Sequence, residues 1–175
     1  MFTTILHTLR GALSLLLIGS YTIALIALLM VPTLGKLLSP PGRVRAMFNR
    51  FAESLVETWV GLNNRVFALS RGAEWDIEVP DSLDRSGCYL VASNHQSWVD
   101  ILMMHRVFYR RIPFLKFFLK KELIWFPFLG LAWWAIDFPF MKRYSKSYLK
   151  KNPHLMGRDF DIARKATEKF KTIPV

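Results

Sequence analysis

The residues best suited to chemistry lie in "LVASNHQSWVD", residues 90–100, where His95 precedes Asp100 by five positions. A neutral imidazole with an ordinary pKa of about 6.5 can take a proton from an alcohol as that alcohol attacks an acyl carbonyl. A carboxylate beside the ring would hold its useful tautomer and stabilise the imidazolium that forms, the part aspartate plays in hydrolase triads. The substrate hydroxyl can itself be the nucleophile, so no serine need be acylated. Asn94 and Ser97 flank the histidine with hydrogen-bonding groups. The competing reading is structural: two polar loop residues, with Asp100 placed where a carboxylate meets the positive end of a helix dipole. Spacing alone does not decide, because His154 and Asp159 in "NPHLMGRD" repeat it beside Pro153 and Gly157 with no strand feeding them.

Context separates the first pair from the second. The apolar run "CYLVAS", Cys88 to Ser93, predicts a buried strand that presents His95, and "VDILMMHRVFYR" predicts a helix that opens at Asp100. Upstream, "EWDIEVP" (Glu74 to Pro80) alternates as a short strand and "DSLDRSG" reads as a turn. Downstream, residues 112–143 predict a strand, a basic turn, an aromatic-rich helix across Pro127 and Gly130, and a strand around Phe138 to Met141. The aromatics of Ile124 to Ile136 form a core helix, line an acyl-chain channel or dip into a bilayer. A last helix is expected from Arg158 to Lys171. Strands alternating with helices make the expected fold class α/β.

The 175 residues combine a formal net charge of +11 with 52% hydrophobic side chains. The first excess asks for anionic partners, and the second turns the choice toward a membrane surface. Nucleic acid is disfavoured, since the aromatics sit in apolar runs and no binding module is present. Cys88 is the only cysteine, which excludes an internal disulfide and a cysteine-rich zinc site and suits a reducing compartment. No metal site is expected. Residues 12–31, "ALSLLLIGSYTIALIALLMV", carry no charge over the length a helix needs to cross about 30 Å of hydrocarbon. That run exceeds a secretory signal's apolar stretch, and no Ala-x-Ala-like site follows it. Arg10 alone precedes the run, whereas Lys36, Arg43, Arg45 and Arg50 follow, which puts the C-terminal side in the cytoplasm. Val44, Met47, Phe48, Phe51, Leu55, Trp59, Leu62, Val66 and Leu69 then recur at helical spacing, as a stripe for either the lipid interface or a protein core.

"NHQSWVD" resembles the Asn-His-x-Ser-x-x-Asp block of the glycerolipid acyltransferases, the family of the 1-acylglycerol-3-phosphate (lysophosphatidate) acyltransferases. "FPFMKRYSK" resembles their second block, with Phe140 and Arg143 on its matching positions, and "FPFLGLAWWAIDFPFMKRYSK" is most similar to bacterial inner-membrane members of the YihG type. The resemblance implies transfer of a fatty acyl group from acyl-CoA or acyl-carrier protein to lysophosphatidate, giving phosphatidate, with no further cofactor. His95 would be the base and Asp100 its partner, while Asn94, Ser97, Phe140 and Arg143 would bind substrate, the arginine through the glycerol phosphate. The implied setting is the bacterial inner membrane with the catalytic part facing the cytoplasm.

The expected organisation is an anchor helix over residues 1–35, an amphipathic interfacial helix over 36–72 and a partial acyltransferase domain over 73–175. The chain ends at "KFKTIPV", before the family's Pro-Glu-Gly-Thr-Arg block, so this reading treats it as a fragment. Asp137 and Pro139 stand where the second block often carries glycine. The alternative from another class is a non-catalytic basic membrane protein that binds anionic lipid or a protein partner.

Overall fold

The computed structural model describes residues 2–70, 76–94, 96–142 and 144–171, and within them not the side chains of residues 2, 3, 70, 146, 159 and 169–171. The chain divides into two compact units, Met1–Leu115 and Lys116–Val175.

The first unit is built on two long helices, α1 (Phe2–Leu38) and α2 (Arg43–Ser70). They run antiparallel, because the approaches pair late residues of one with early residues of the other. A Cβ added at Gly35 would collide with the Phe48 ring, the Trp59 indole donates to Thr22 Oγ1 at 2.8 Å, and Tyr21 donates its hydroxyl to Asn63 Oδ1 at 2.5 Å. Ile26, Leu29 and Pro32 of α1 are buried in this hairpin with Ala52, Leu55 and Val60 of α2. Lys36, read from sequence as one of the charges that follow the anchor, is buried as well. The apolar stripe of α2 is displaced from the expected one: Met47, Phe51 and Leu69 are exposed, whereas Ala52 and Asn63 are buried. A 3.6-residue period locates an apolar arc but leaves open which edge of it a neighbouring helix covers.

Residues Thr4–Leu38 form one helix long and apolar enough to cross a membrane, and Leu13, Leu15, Leu16 and Leu17 stand exposed along it. At 1.5 Å per residue such a helix exceeds the hydrocarbon thickness with length to spare. The Trp59–Thr22 and Tyr21–Asn63 hydrogen bonds add polar contacts to the apolar packing of this hairpin.

The expected strand Cys88 to Ser93 is not formed. Residues 88–94 carry no ladder, and Leu90 is 90% exposed. An apolar run states a demand for burial, but a strand exists only when another strand takes its N–H and C=O groups. The described part of the other expected strand, residues 76–80, is likewise irregular. The turn after it is real: Asp84 accepts from the Ser86 backbone at 3.1 Å and from the Ser86 hydroxyl, which hold its carboxyl below the usual carboxylate range. The third helix of the unit, α3 (Trp98–Phe108), then packs on α2.

The second unit keeps the predicted order. Strand β1 (Leu119–Lys120), a 3₁₀ turn (Lys121–Trp125), α4 (Leu129–Ala135) and β2 (Phe140–Met141) form a small βαβ arrangement, followed by α5 (Lys146–Lys151), a 3₁₀ turn (Pro153–Leu155) and α6 (Arg158–Lys171). The strands pair in parallel, Leu119 with Phe140 and Lys120 with Met141. Parallel neighbours require such a crossover. The protein is therefore mostly helical, and its α/β character rests on this two-residue ladder, much less sheet than the sequence suggests.

Two non-glycine residues hold this unit's turns at positive φ. Asp137 (φ 62) ends α4 in a Schellman motif, in which the Asp137 N–H donates to Trp134 O at 3.1 Å and the Phe138 N–H to Trp133 O at 2.9 Å. Phe128 (φ 61, ψ −49) is the centre of a γ-turn closed by the Leu129 N–H on Pro127 O at 2.6 Å. That turn is strained for an L residue, and the Phe128 ring is largely exposed, so little packing compensates. Phe128→Gly is expected to stabilise this unit by about 1 kcal/mol. Hydrogen exchange of the α4 amides measures this, and faster exchange in the variant would refute it.

Candidate active site

Asp100 occupies the third position of α3, and Ser97 caps the helix in extended conformation (φ −145, ψ 151). Ser97 Oγ accepts from the Val99 N–H at 3.1 Å, while Asp100 Oδ2 accepts from the backbone N–H groups of Gln96 and Ser97, both at 2.7 Å. This is a capping box, legible in sequence as Ser-x-x-Asp, and it satisfies amides that a helix start otherwise leaves without acceptors. Both N–H donors and the helix dipole favour the ionised carboxylate.

The box also ties down the two residues that lead into α3. One carboxylate oxygen grips the amides of the first two residues after His95, folding that segment back onto the helix start. Asn94 lies exposed just before it, its carbonyl accepting from Ser93 Oγ at 3.1 Å. Asp100 itself is half-buried, whereas Gln96, Ser97, Trp98 and Val99 are exposed. The carboxylate is thus held in place within an otherwise accessible turn.

Of the residues singled out from sequence, Ser97 and Asp100 are joined directly. The sequence reading placed Asp100 at the positive end of the helix dipole, but the reciprocal bonds that make Ser97 and Asp100 a capping box were not anticipated. Phe140 stands half-buried in β2 of the second unit, opposite Leu119. His95 and Arg143 lie outside the described residues. In the second His–Asp pair, His154 is exposed in a short 3₁₀ turn and residue 159 falls in α6.

His105, in α3 of the first unit, faces the interior. Its ring stacks on Phe114 (centroids 4.8 Å apart, planes 12° apart) and meets the Trp59 ring edgewise at 6.3 Å. Burial pushes its pKa down to about 4. It belongs to the core beneath α3.

Residues 75–161 match the model of the Acyltransferase family. The match supports acyl transfer, in general terms, as the chemistry of this region. The match supports the glycerolipid acyltransferase family, and it contains His95, Asp100, Phe140 and Arg143. No curated protein and no solved structure matches the chain.

Proposed function

We propose that this protein is a membrane-bound lysophospholipid acyltransferase that moves a fatty acyl group from acyl-CoA or acyl-carrier protein to the free hydroxyl of lysophosphatidate. The observation that carries the reading is the anchored Asp100 carboxylate at the start of α3, five residues after a histidine and inside the acyltransferase match. His95 takes the hydroxyl proton as the acceptor oxygen attacks the thioester carbonyl. Asp100 orients the imidazole and stabilises the imidazolium. Collapse of the tetrahedral intermediate breaks the C–S bond, and the proton passes from His95 to the departing thiolate. The Arg143 guanidinium supplies a fork suited to the acceptor's phosphate, and Phe140, three positions earlier in the chain, helps bind the same substrate.

The α1 helix supports a membrane setting: its exposed leucines suit lipid, and the basic residues that follow it favour a cytoplasmic face, as in a bacterial inner membrane. Incubating the purified chain with acyl-CoA or acyl-carrier protein thioester and lysophosphatidate should release thiol and yield phosphatidate. Lysophospholipids without the exposed phosphate monoester should be poorer acceptors. Thiol release independent of any lysophospholipid would point to hydrolysis and overturn the assignment.

A further inference from the structure

A second candidate site lies at the opposite end of α3. The C-terminal half of α2 and the residues that end α3 enclose an open cleft of about 780 Å³, and four arginines line it: Arg65 from α2, and Arg106, Arg110 and Arg111 from α3 and the turn after it. Among the described residues of the lining Glu57 alone is acidic, and it is already paired with Arg85. Among the described residues no carboxylate lies within ion-pair reach of Arg65, Arg110 or Arg111.

The helix dipole accounts for a cation at the end of α3, but it does not account for Arg65, which another helix brings to the same cleft. Two of the arginines are also held. Arg106 is half-buried and donates from Nη1 to the Asn64 carbonyl at 3.2 Å, which ties the end of α3 to α2. Arg110 has a backbone φ of 59, and its guanidinium carbon lies 5.3 Å from the centre of the Tyr109 ring. Tyr109 reaches its position because residue 61 is glycine: a Cβ there would stand 2.7 Å from the phenol oxygen. Several guanidiniums gathered in one concave wall repel one another until an anion enters, and their forks match phosphate oxygens.

We propose that this cleft binds a phosphate-bearing anion, at a place separate from the Asp100 turn. Arg106 alone is about 9 Å along the helix from Asp100, and Arg110 and Arg111 follow beyond the helix end. The proposal holds whether or not the acyl-transfer reading does. The phosphate belongs either to a soluble molecule or to a lipid headgroup.

The test titrates the detergent-solubilised full chain with sodium pyrophosphate and, separately, with a short-chain phosphatidylglycerol, using short-chain phosphatidylcholine, a zwitterion without net charge, as the control. Arg65→Gln with Arg111→Gln removes two exposed guanidiniums without touching the core, and circular dichroism verifies that helicity is kept. Loss of pyrophosphate affinity by 10-fold or more in this double variant supports the site and a soluble ligand. The same loss confined to phosphatidylglycerol supports the site and a lipid headgroup. Arg45→Gln with Arg50→Gln, near the start of α2, should leave pyrophosphate binding unchanged. Wild-type protein that binds neither probe, or a double variant that binds both as wild type does, overturns the proposal.

Discussion

Asp100→Ala is expected to lower acyl transfer about 10³- to 10⁴-fold, the scale on which an orienting carboxylate acts beside a histidine base, and to weaken the start of α3 by about 1 kcal/mol. The two effects have separate causes. The carboxylate accepts from the amides of Gln96 and Ser97, so its removal leaves two N–H groups of the turn to find water and unties residues 96 and 97 from the helix start. Asp100→Asn separates them. An amide oxygen can still accept those bonds, so thermal unfolding should stay close to wild type, but the negative charge that stabilises an imidazolium is gone. The expected result is a native-like Asn variant with kcat lowered by a similar factor to that of the Ala variant. If the Asn variant retained wild-type turnover while the Ala variant lost both stability and activity, Asp100 would be a helix cap and nothing more.

That ambiguity explains why the site was only partly legible in the sequence. Ser97 and Asp100 satisfy the pattern of a helix cap and the pattern of a catalytic block with the same atoms, and the sequence cannot say which of the two uses set their spacing. Helices were legible where the signal is local. The charge-free run of residues 12–31 falls within α1, the apolar period of residues 44–69 falls within α2, and the last helix spans Arg158–Lys171 as expected. Strands were legible only where a crossover brings a partner, as Leu119 meets Phe140. Cys88 to Ser93 has the composition of a strand but no ladder, since pairing depends on residues far away in sequence. Asp137 ends α4 in a conformation that glycine usually signals, and an aspartate there gives no such warning. The arginine cleft was invisible for the same reason as the missing sheet: Arg65 and Arg111 are distant in sequence, and only the packing of α3 on α2 assembles them.

Lowering the pH from 6.5 toward 4 is expected to cost the first unit about 3 kcal/mol through His105 alone. In the unfolded chain this imidazole gains its proton near pH 6.5, whereas in the folded chain burial holds the pKa down to about 4. Above pH 6.5 the ring is neutral in both states and titration neither adds nor removes stability. Between 6.5 and 4 the unfolded state binds a proton that the folded state refuses, so folding weakens steadily as the pH falls. Below 4 both states carry the proton and the loss levels off. Burial of the ring is what disfavours the cation. Phe114 and Trp59 cover it, and Glu57, which lines the same small cavity, is engaged by Arg85. His105→Phe keeps a ring for the Phe114 stack and removes the titration, so its stability should fall less than that of wild type over this window. Hydrogen exchange of α2 and α3 amides at pH 7 and pH 4.5, corrected for intrinsic exchange rates, reads the difference. Parallel acid dependence in the two proteins would locate the acid sensitivity elsewhere; a flatter profile in His105→Phe would assign it to the imidazole buried behind the proposed active-site helix.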